Sequence, residues 1–378
     1  HGGYLSSNEY LNDICIGWEP NQSDRERTHC KDLLEDLQPH PNLRGLTIWR
    51  YPGSNIPSWA SNLETSLPNL VKIVLYGCDG LQYWPCLEKL HYLRTLKIWD
   101  MQSLEYIGDR SGAYIRGSGA DASNATVFFP CLEELELCKL RKFEGWCKTS
   151  GSGSSDVANQ LGDRTLPSFP RLSKLTIKTC PCLTSVPRCP KLQTLALSVI
   201  NEGLQIAADD SENVRHPAIK ILETDDVVHC TLFAEAFQHL TRLEIRDKDL
   251  ESFSGTENWL DSCSSSLRTL ILRDCDKLRS GLEHFTALES LMITKSTSST
   301  SAEVVPEGLG ALSSLQSLRI KNYRNLESLP ETFMNLTSLK RLEIFNCSIA
   351  LEERCKRPDG EDWPKIQHIP CIHIKSSN

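Results

Sequence analysis

Leucine and isoleucine recur along the chain at a fixed short spacing. The hexamer Leu-x-x-Leu-x-(Ile/Leu) is clearest as Leu70-x-x-Ile73-x-Leu75, Leu172-x-x-Leu175-x-Ile177, Leu267-x-x-Leu270-x-Leu272 and Leu339-x-x-Leu342-x-Ile344. In these four a cysteine follows at the ninth position: Cys78, Cys180, Cys275 and Cys347. Copies without the cysteine start at Leu11, Leu43, Leu93, Leu132, Leu192, Leu240, Leu288 and Leu315, with a degenerate one at Ile219. Most of the thirteen starts lie 20–27 residues apart. Positions four and six of the hexamer point to one face of a short strand. One strand cannot bury that face alone, so the pattern predicts stacked coils, each giving one strand to a parallel sheet over a continuous core. The ninth position turns inward, where a small apolar residue with a weak donor suits a tight coil.

That period is the one of leucine-rich repeats. The fold class it predicts is an α/β solenoid: a leucine-rich-repeat horseshoe with a concave parallel β-sheet and an irregular or short-helical convex side. The whole of 1–378 reads as a single domain of thirteen repeats. Three steps are long, each with a visible cause. Between Leu11 and Leu43 lies a helix-like stretch, His29 to Leu37, ended by Pro39 and Pro41. Segments 105–129 and 147–167 are rich in Gly, Ser, Ala and Asp, a composition that reads as flexible surface insertion. Smaller polar loops are expected at 207–216 and 296–303.

Composition narrows the function classes. The chain has 378 residues, 39% of them hydrophobic and 24% charged, with 53 leucines and a formal net charge of -8. An acidic balance argues against a dedicated nucleic-acid binder. No window approaches eighteen consecutive apolar residues, so no transmembrane helix is expected. The start, His1 to Ser7, lacks the charged and apolar regions of a signal peptide, and with no initial Met the chain reads as a fragment or a processed form. The 16 cysteines read as buried free thiols in a reducing compartment rather than a disulfide framework, since several occupy one repeat position.

Candidate chemistry lies on the variable positions 2, 3, 5, 7 and 8 of each repeat, which face the concave surface. Position 7 gives an aromatic stripe, Trp49, Tyr76 and Trp99, near the N-terminal end, with Trp18 beside Gly17 in the first repeat. Further along it gives a basic column of Arg246, Arg273 and Lys321, then Phe345, with Arg319 and Arg341 on neighbouring positions. Trp, Tyr and Arg are the usual anchors of protein interfaces, so these ten residues form the candidate partner-binding face. The competing reading packs the aromatics on neighbouring strands or loops and pairs the arginines with Glu244, Asp247 and Asp274, contacts of little energetic weight. No G-x-S-x-G, H-E-x-x-H or C-x-x-C-H pattern occurs, and the chain does not read as an enzyme. Cys180, Cys182 and Cys189 have a loosely metal-like spacing, but Cys180 already serves the repeat and no histidine lies near in sequence; no metal site is assigned. Sequons at Asn21, Asn124, Asn335 and Asn346 are close to background for a polar chain.

Several segments carry a resemblance. Some repeats close with an apolar residue and proline (Leu329-Pro330, Val186-Pro187, Trp84-Pro85). The C-terminal run Leu351-Glu-Glu-Arg-Cys-Lys-Arg-Pro-Asp-Gly-Glu-Asp-Trp-Pro-Lys-Ile-Gln-His-Ile-Pro370, and the segment Leu33 to Leu43 followed by Ile56-Pro57-Ser58-Trp59, are more specific. Together they resemble the C-terminal leucine-rich-repeat region of plant coiled-coil nucleotide-binding disease resistance proteins. The resemblance implies a recognition and autoinhibitory module of an intracellular immune receptor, cytoplasmic or nucleocytoplasmic. Its partners would be a pathogen effector or a guarded host protein, and the receptor's own nucleotide-binding and coiled-coil domains. It implies a C-terminal cap at 348–374. With no G-x-x-x-x-G-K-[S/T] loop in the chain, ADP or ATP is expected only on a nucleotide-binding domain before His1. Two alternatives stand beside this one. An extracellular receptor ectodomain calls for a signal peptide, even repeats of about 24 residues and paired cysteine caps. A ubiquitin-ligase substrate adaptor calls for a ligase-recruiting helical box.

Overall fold

In the computed structural model the described residues are 5–19, 24–84, 87, 90–107, 129–146, 168–201, 203–206, 218–231, 234–253, 257–297 and 305–377. The expected loops at 105–129, 147–167, 207–216 and 296–303 lie wholly or mostly outside them, as do Asn21, Pro85 and Asn124. The chain falls into two compact units, His1–Pro217 and Ala218–Asn378.

The N-terminal unit contains strands β1 (Asp13–Gly17), β2 (Gly45–Trp49), β3 (Lys72–Tyr76), β4 (Thr95–Trp99), β5 (Glu134–Cys138), β6 (Lys174–Cys180), β7 (Ser185–Val186), β8 (Thr194–Ile200) and β9 (Gln205–Ile206). β1 to β6 and then β8 pair in chain order, every pair parallel, while β7 and β9 form a small sheet of their own. The C-terminal unit contains β10 (Ile221–Thr224), β11 (Arg242–Ile245), β12 (Thr269–Arg273), β13 (Ser290–Thr294), β14 (Ser317–Lys321), β15 (Arg341–Cys347) and β16 (Cys371–Ser376), again parallel and in chain order. Each of the thirteen hexamers begins its strand two residues after its first apolar residue. The sheet then gains a further strand, β16, inside the segment expected to be only a cap. Its apolar residues keep the same spacing, Ile369-x-x-Ile372-x-Ile374.

The hexamer's three apolar residues build the core. Leu43, Leu46 and Ile48 are fully buried, as are Leu70, Ile73 and Leu75, and Leu339, Leu342 and Ile344 are nearly so. Each such side chain contributes about 1.5–3 kcal/mol relative to staying in water. Burial weakens at β1, where Leu11 and Ile14 are half-buried.

The residue after position 7 takes a left-handed backbone in nine repeats: Arg50, Gly77, Asp100, Lys139, Thr179, Val199, Asp274, Asn322 and Asn346. This single left-handed step redirects the chain from the strand into the core. Gly, Asn and Asp tolerate it best, and five of the nine positions carry them. Its N–H extends the ladder: Arg50 donates to the Tyr76 carbonyl at 2.6 Å, Gly77 to that of Trp99 at 2.9 Å and Asp100 to that of Cys138 at 2.8 Å. The next residue dives inward. In three of the four cysteine repeats the thiol donates to the position-6 carbonyl of the preceding repeat: Cys78 to Ile48 at 3.8 Å, Cys180 to Leu137 at 3.6 Å, Cys275 to Ile245 at 3.7 Å.

The distinctive segments of the sequence are structural fasteners. Helix α1 (Asp24–Asp36) covers the helical stretch read from the sequence except its last residue, Leu37, and starts earlier than that reading. The Trp59 indole N–H donates to its Leu34 carbonyl at 2.9 Å, and the Ser58 N–H to Glu35 at 2.7 Å. Among the other short helices are α2 (Leu63–Ser66), α3 (Val228–Thr231), α4 (Glu257–Cys263), α5 (Ile349–Arg354) and α6 (Trp363–Ile366). Ser348 caps α5 by accepting from Leu351 N–H at 3.0 Å. No helix among the described residues is long and apolar enough to cross a membrane.

Candidate functional site

Alternation along each strand turns positions 3, 5 and 7 away from the core. In the N-terminal unit the register sets Trp49 beside Tyr76 and Tyr76 beside Trp99. The three rings therefore occupy adjacent strands, each about 4.8 Å from the next. Trp49 is 37% exposed, and Tyr76 and Trp99 are half-buried. Gly17, the register partner of Trp49 on β1, makes room for its indole: a Cβ there would sit 1.9 Å from Trp49 Nε1. The Arg50 guanidinium lies 5.4 Å from the Trp49 ring and Lys97 Nζ 6.0 Å from that of Trp99. Trp99 Nε1 is buried and has no hydrogen-bond partner among the described residues.

Trp18 does not join this column. It is 7% exposed and packs edge-on against Tyr51 at 5.1 Å. It lies one residue beyond the strand's outward end, where the chain already turns into the core, so it is not presented to a partner.

Next to the column is a charged network that the sequence reading did not single out. Lys97 contacts Glu136 at 2.9 Å and Glu134 at 3.5 Å, and Lys174 contacts Glu134 at 2.6 Å and Glu136 at 3.5 Å. Burial pushes the Glu134 carboxyl up, but the Lys174 hydrogen bond and the charges of Lys174 and Lys97 outweigh it and hold the carboxyl below the ordinary range. The Glu134 hydrogen bond holds Lys174 above its ordinary range. Two lysines and two glutamates neutralise one another. The signal available in the sequence was opposite charges at positions 3 and 5 of consecutive repeats.

In the C-terminal unit the basic column is interrupted and largely paired. Arg273 contacts Glu244 at 2.5 Å, which Arg242 also reaches at 3.2 Å, and Arg246 contacts Asp274 at 3.6 Å. Thr294 separates Arg273 from Lys321 in the register. Arg319 and Arg341 both contact Glu343, the latter at 3.6 Å. The physical reason is spacing: Glu244, Asp274 and Glu343 lie one strand away from Arg273, Arg246 and Arg319, and Glu244 and Glu343 stand two residues along the same strand from Arg242 and Arg341. Lys321 and Phe345 are different. Lys321 Nζ lies 5.8 Å from the Phe345 ring, whose other side meets His373 at 5.8 Å between ring centres. Register then puts Lys375 beside Phe345. His373 and Lys375 lie on the strand the sequence reading took for cap.

The cysteines of the repeat are inert. Burial raises the Cys78 thiol to about 11 and those of Cys180 and Cys275 to about 12, so each stays protonated at neutral pH. Among the described residues fourteen cysteines are free. Cys180 is buried in its ladder, Cys182 is exposed, and Cys189 is buried with its thiol 3.2 Å from the Pro187 carbonyl. Among the described residues no three His, Cys, Asp or Glu side chains converge as a metal site. Asn346 spends its amide on Asn322 at 2.9 Å, and Asn322 donates to the Lys295 carbonyl at 3.0 Å.

Comparison with known proteins gives concordant results. The model of the R13L1/DRL21 leucine-rich-repeat family matches residues 2–101. The disease resistance RPP13-like protein 1 of Arabidopsis thaliana is 26% identical over 353 residues, covering 91% of this chain and 27% of the relative. Disease resistance protein RGA1 of Solanum bulbocastanum is 27% identical over 241 residues, covering 64% of this chain and 21% of the relative. The chain thus spans about a quarter of the length of these curated relatives. Among solved structures, a leucine-rich-repeat protein of Leptospira interrogans covers 96% of this chain at 16% identity, with a TM-score of 0.34. At that score the likeness adds nothing to the strand register already described.

Proposed function

The chain is a leucine-rich-repeat protein related to the repeat regions of plant disease resistance proteins, and on that footing we propose that it is the recognition and autoinhibitory module of an intracellular immune receptor. It binds a pathogen effector or a guarded host protein through the outward face of its sheets. In the full-length receptor it also restrains the nucleotide-binding switch, and effector binding releases that restraint by favouring one state. It acts in the cytoplasm, by binding rather than by catalysis.

The observation that carries this reading is the Trp49–Tyr76–Trp99 column, three aromatic side chains in register on the outward face of adjacent strands. Side chains of this kind dominate interface energetics, at about 2–4 kcal/mol each when truncated. The test has two arms. Trp49→Ala with Trp99→Ala in the full-length receptor is expected to abolish recognition, scored as effector-dependent cell death; unchanged recognition refutes the binding half. Co-purification of this chain with the nucleotide-binding part in trans is expected to succeed with ADP; no association in any nucleotide state refutes the regulatory half.

A further inference from the structure

Charge is distributed unevenly over the outward faces. The Lys97, Lys174, Glu134 and Glu136 network is self-neutralising, and Arg242, Arg246 and Arg273 are paired with Glu244 and Asp274. The end of the C-terminal sheet departs from this. Positions 3, 5 and 7 of β14, β15 and β16 hold four cations, Arg319, Lys321, Arg341 and Lys375, against a single carboxylate, Glu343. Arg319 and Arg341 share that carboxylate. Lys321 and Lys375 have no ion-pair partner among the described residues. Counted over these strand positions the surplus is three positive charges in a chain whose net charge is -8; the flanking Glu352, which accepts from the Ser376 N–H at 2.8 Å, offsets part of the Lys375 charge from outside ion-pair distance.

The surplus surrounds an apolar centre. Phe345 is half-buried, and the register puts Lys321 on one side of it and Lys375 on the other. A shallow recess of about 310 Å³ opens there, lined by Phe345, Asn346, Lys375 and Ser376. Phe345 is one strand from each lysine, so the two strand positions are about 10 Å apart. A ligand that satisfies both lysines must present two anionic groups at that separation and place an apolar group between them. An extended polyproline-type segment does so: carboxylates three residues apart fall on one edge of it, about 9 Å from each other, a residue between them lies on the adjacent edge, and a surface that meets both edges receives all three side chains. A nucleic-acid backbone matches the charge but supplies no apolar group to meet Phe345 from the same side.

We infer that the outward face of β14–β16 is a docking site for an acidic protein segment in which two carboxylates three residues apart bracket an aromatic or aliphatic side chain, the carboxylates pairing with Lys321 and Lys375 and the apolar side chain seating on Phe345. This rests on the reading of the outward faces as partner surfaces and names the chemistry one of them selects.

The test uses the intact 378-residue chain and a fluorescein-labelled peptide, Gly-Ser-Glu-Phe-Pro-Glu-Gly-Ser, in fluorescence anisotropy. Binding is expected to weaken steeply with added salt. It is expected to fall at least about tenfold, equivalent to about 1.4 kcal/mol, when both glutamates of the peptide become glutamine, in the double variant Lys321→Glu with Lys375→Glu, and in Phe345→Ser. All three side chains face away from the core, and an unchanged thermal midpoint of each variant verifies its fold. Equal binding of the glutamine peptide, indifference to the two lysine changes, or stronger binding of an oligothymidylate at the same residues overturns the assignment. Trp49→Ala with Trp99→Ala separates the two levels. If the peptide does not bind while that variant still loses recognition in the receptor, the charge assignment falls and the partner-surface reading stands. If that variant keeps recognition, the partner-surface reading of the aromatic column falls, whatever the peptide does.

Discussion

The carboxylate of Asp362 accepts a hydrogen bond from the Leu329 N–H at 3.0 Å, across 33 residues of chain. Asp362 is fully buried and is also held by Arg354 at 3.1 Å and Lys365 at 3.0 Å. Lys365 in turn donates to the Leu329 carbonyl at 2.7 Å. The Leu-Pro pair that closes one repeat is thereby tied to the Asp-Trp-Pro-Lys run downstream. Two features that looked like separate family signatures in the sequence are the two halves of one clasp.

Asp362→Ala removes the anion from that clasp and leaves Lys365 and the Leu329 N–H without it. The expected cost is about 3 kcal/mol, the low end for breaking a buried ion pair, because Arg354 remains partly solvated. A lowered urea midpoint with an unchanged slope checks it. Burial pushes the Asp362 carboxyl up, but its hydrogen bonds with Arg354, Leu329 and Lys365 outweigh that and hold it below the ordinary aspartate range. The stability it contributes is therefore complete above the ordinary aspartate value and is lost as pH falls through the lowered one. The wild-type and Asp362→Ala midpoints should converge in acid below that range.

Thiol reactivity should follow burial. Cys15, Cys182 and Cys371 are exposed, whereas Cys78, Cys180 and Cys275 are buried and their thiols lie at about 11 or 12. At pH 8 an aromatic disulfide reagent is expected to label the exposed set first and to reach the buried set only on unfolding. In unreduced, denatured protein all 16 cysteines should react. A shortfall of two or more would point to disulfides and to the extracellular alternative.

Gly17→Ala should dislodge a tryptophan without unfolding the chain. The new methyl group would meet the tip of the Trp49 indole, which can swing away. Stability is expected to change by less than about 1 kcal/mol, while iodide quenching of tryptophan fluorescence rises. If recognition depends on the aromatic column, it should weaken in this variant although no ring has been removed.

Val199→Gly should stabilise the protein. Val199 holds φ at 47° and is 55% exposed. A left-handed backbone costs a β-branched residue about 1–2 kcal/mol, which glycine avoids at some entropic expense. The expected net gain is up to about 1 kcal/mol, read from the thermal midpoint.

The strands were legible because a stacked coil demands apolar residues at fixed offsets, and Leu43, Leu46 and Ile48 meet that demand as openly as Leu339, Leu342 and Ile344. The strand at Cys371–Ser376 carried the same signal in Ile369, Ile372 and Ile374, but the surrounding run was read by its resemblance instead. The left-handed step was legible at Gly77 and Asn346 and hidden at Arg50, Lys139, Thr179 and Val199, whose side chains give no hint of it. Trp18 takes no left-handed step, yet it stands at the same corner, position 8, where strand becomes core, so its side chain follows local packing rather than the alternation. The arginines were visible as a column, and Glu244 and Asp274 were legible as their competing partners; Glu343, which holds Arg319 and Arg341, was not, because the contact between Arg319 and Glu343 depends on the register of two strands a repeat apart.

The cysteine bonds in three repeats and the left-handed corner in nine fasten a rung only to the one beside it. A whole period can therefore be spliced in or cut out, and the flanking rungs can close on each other through the same two joints. Loss of a single residue inside a hexamer does the opposite and turns that rung's core side chains outward. Such a chain can remodel its binding face by recombination between repeats while its spine stays unchanged.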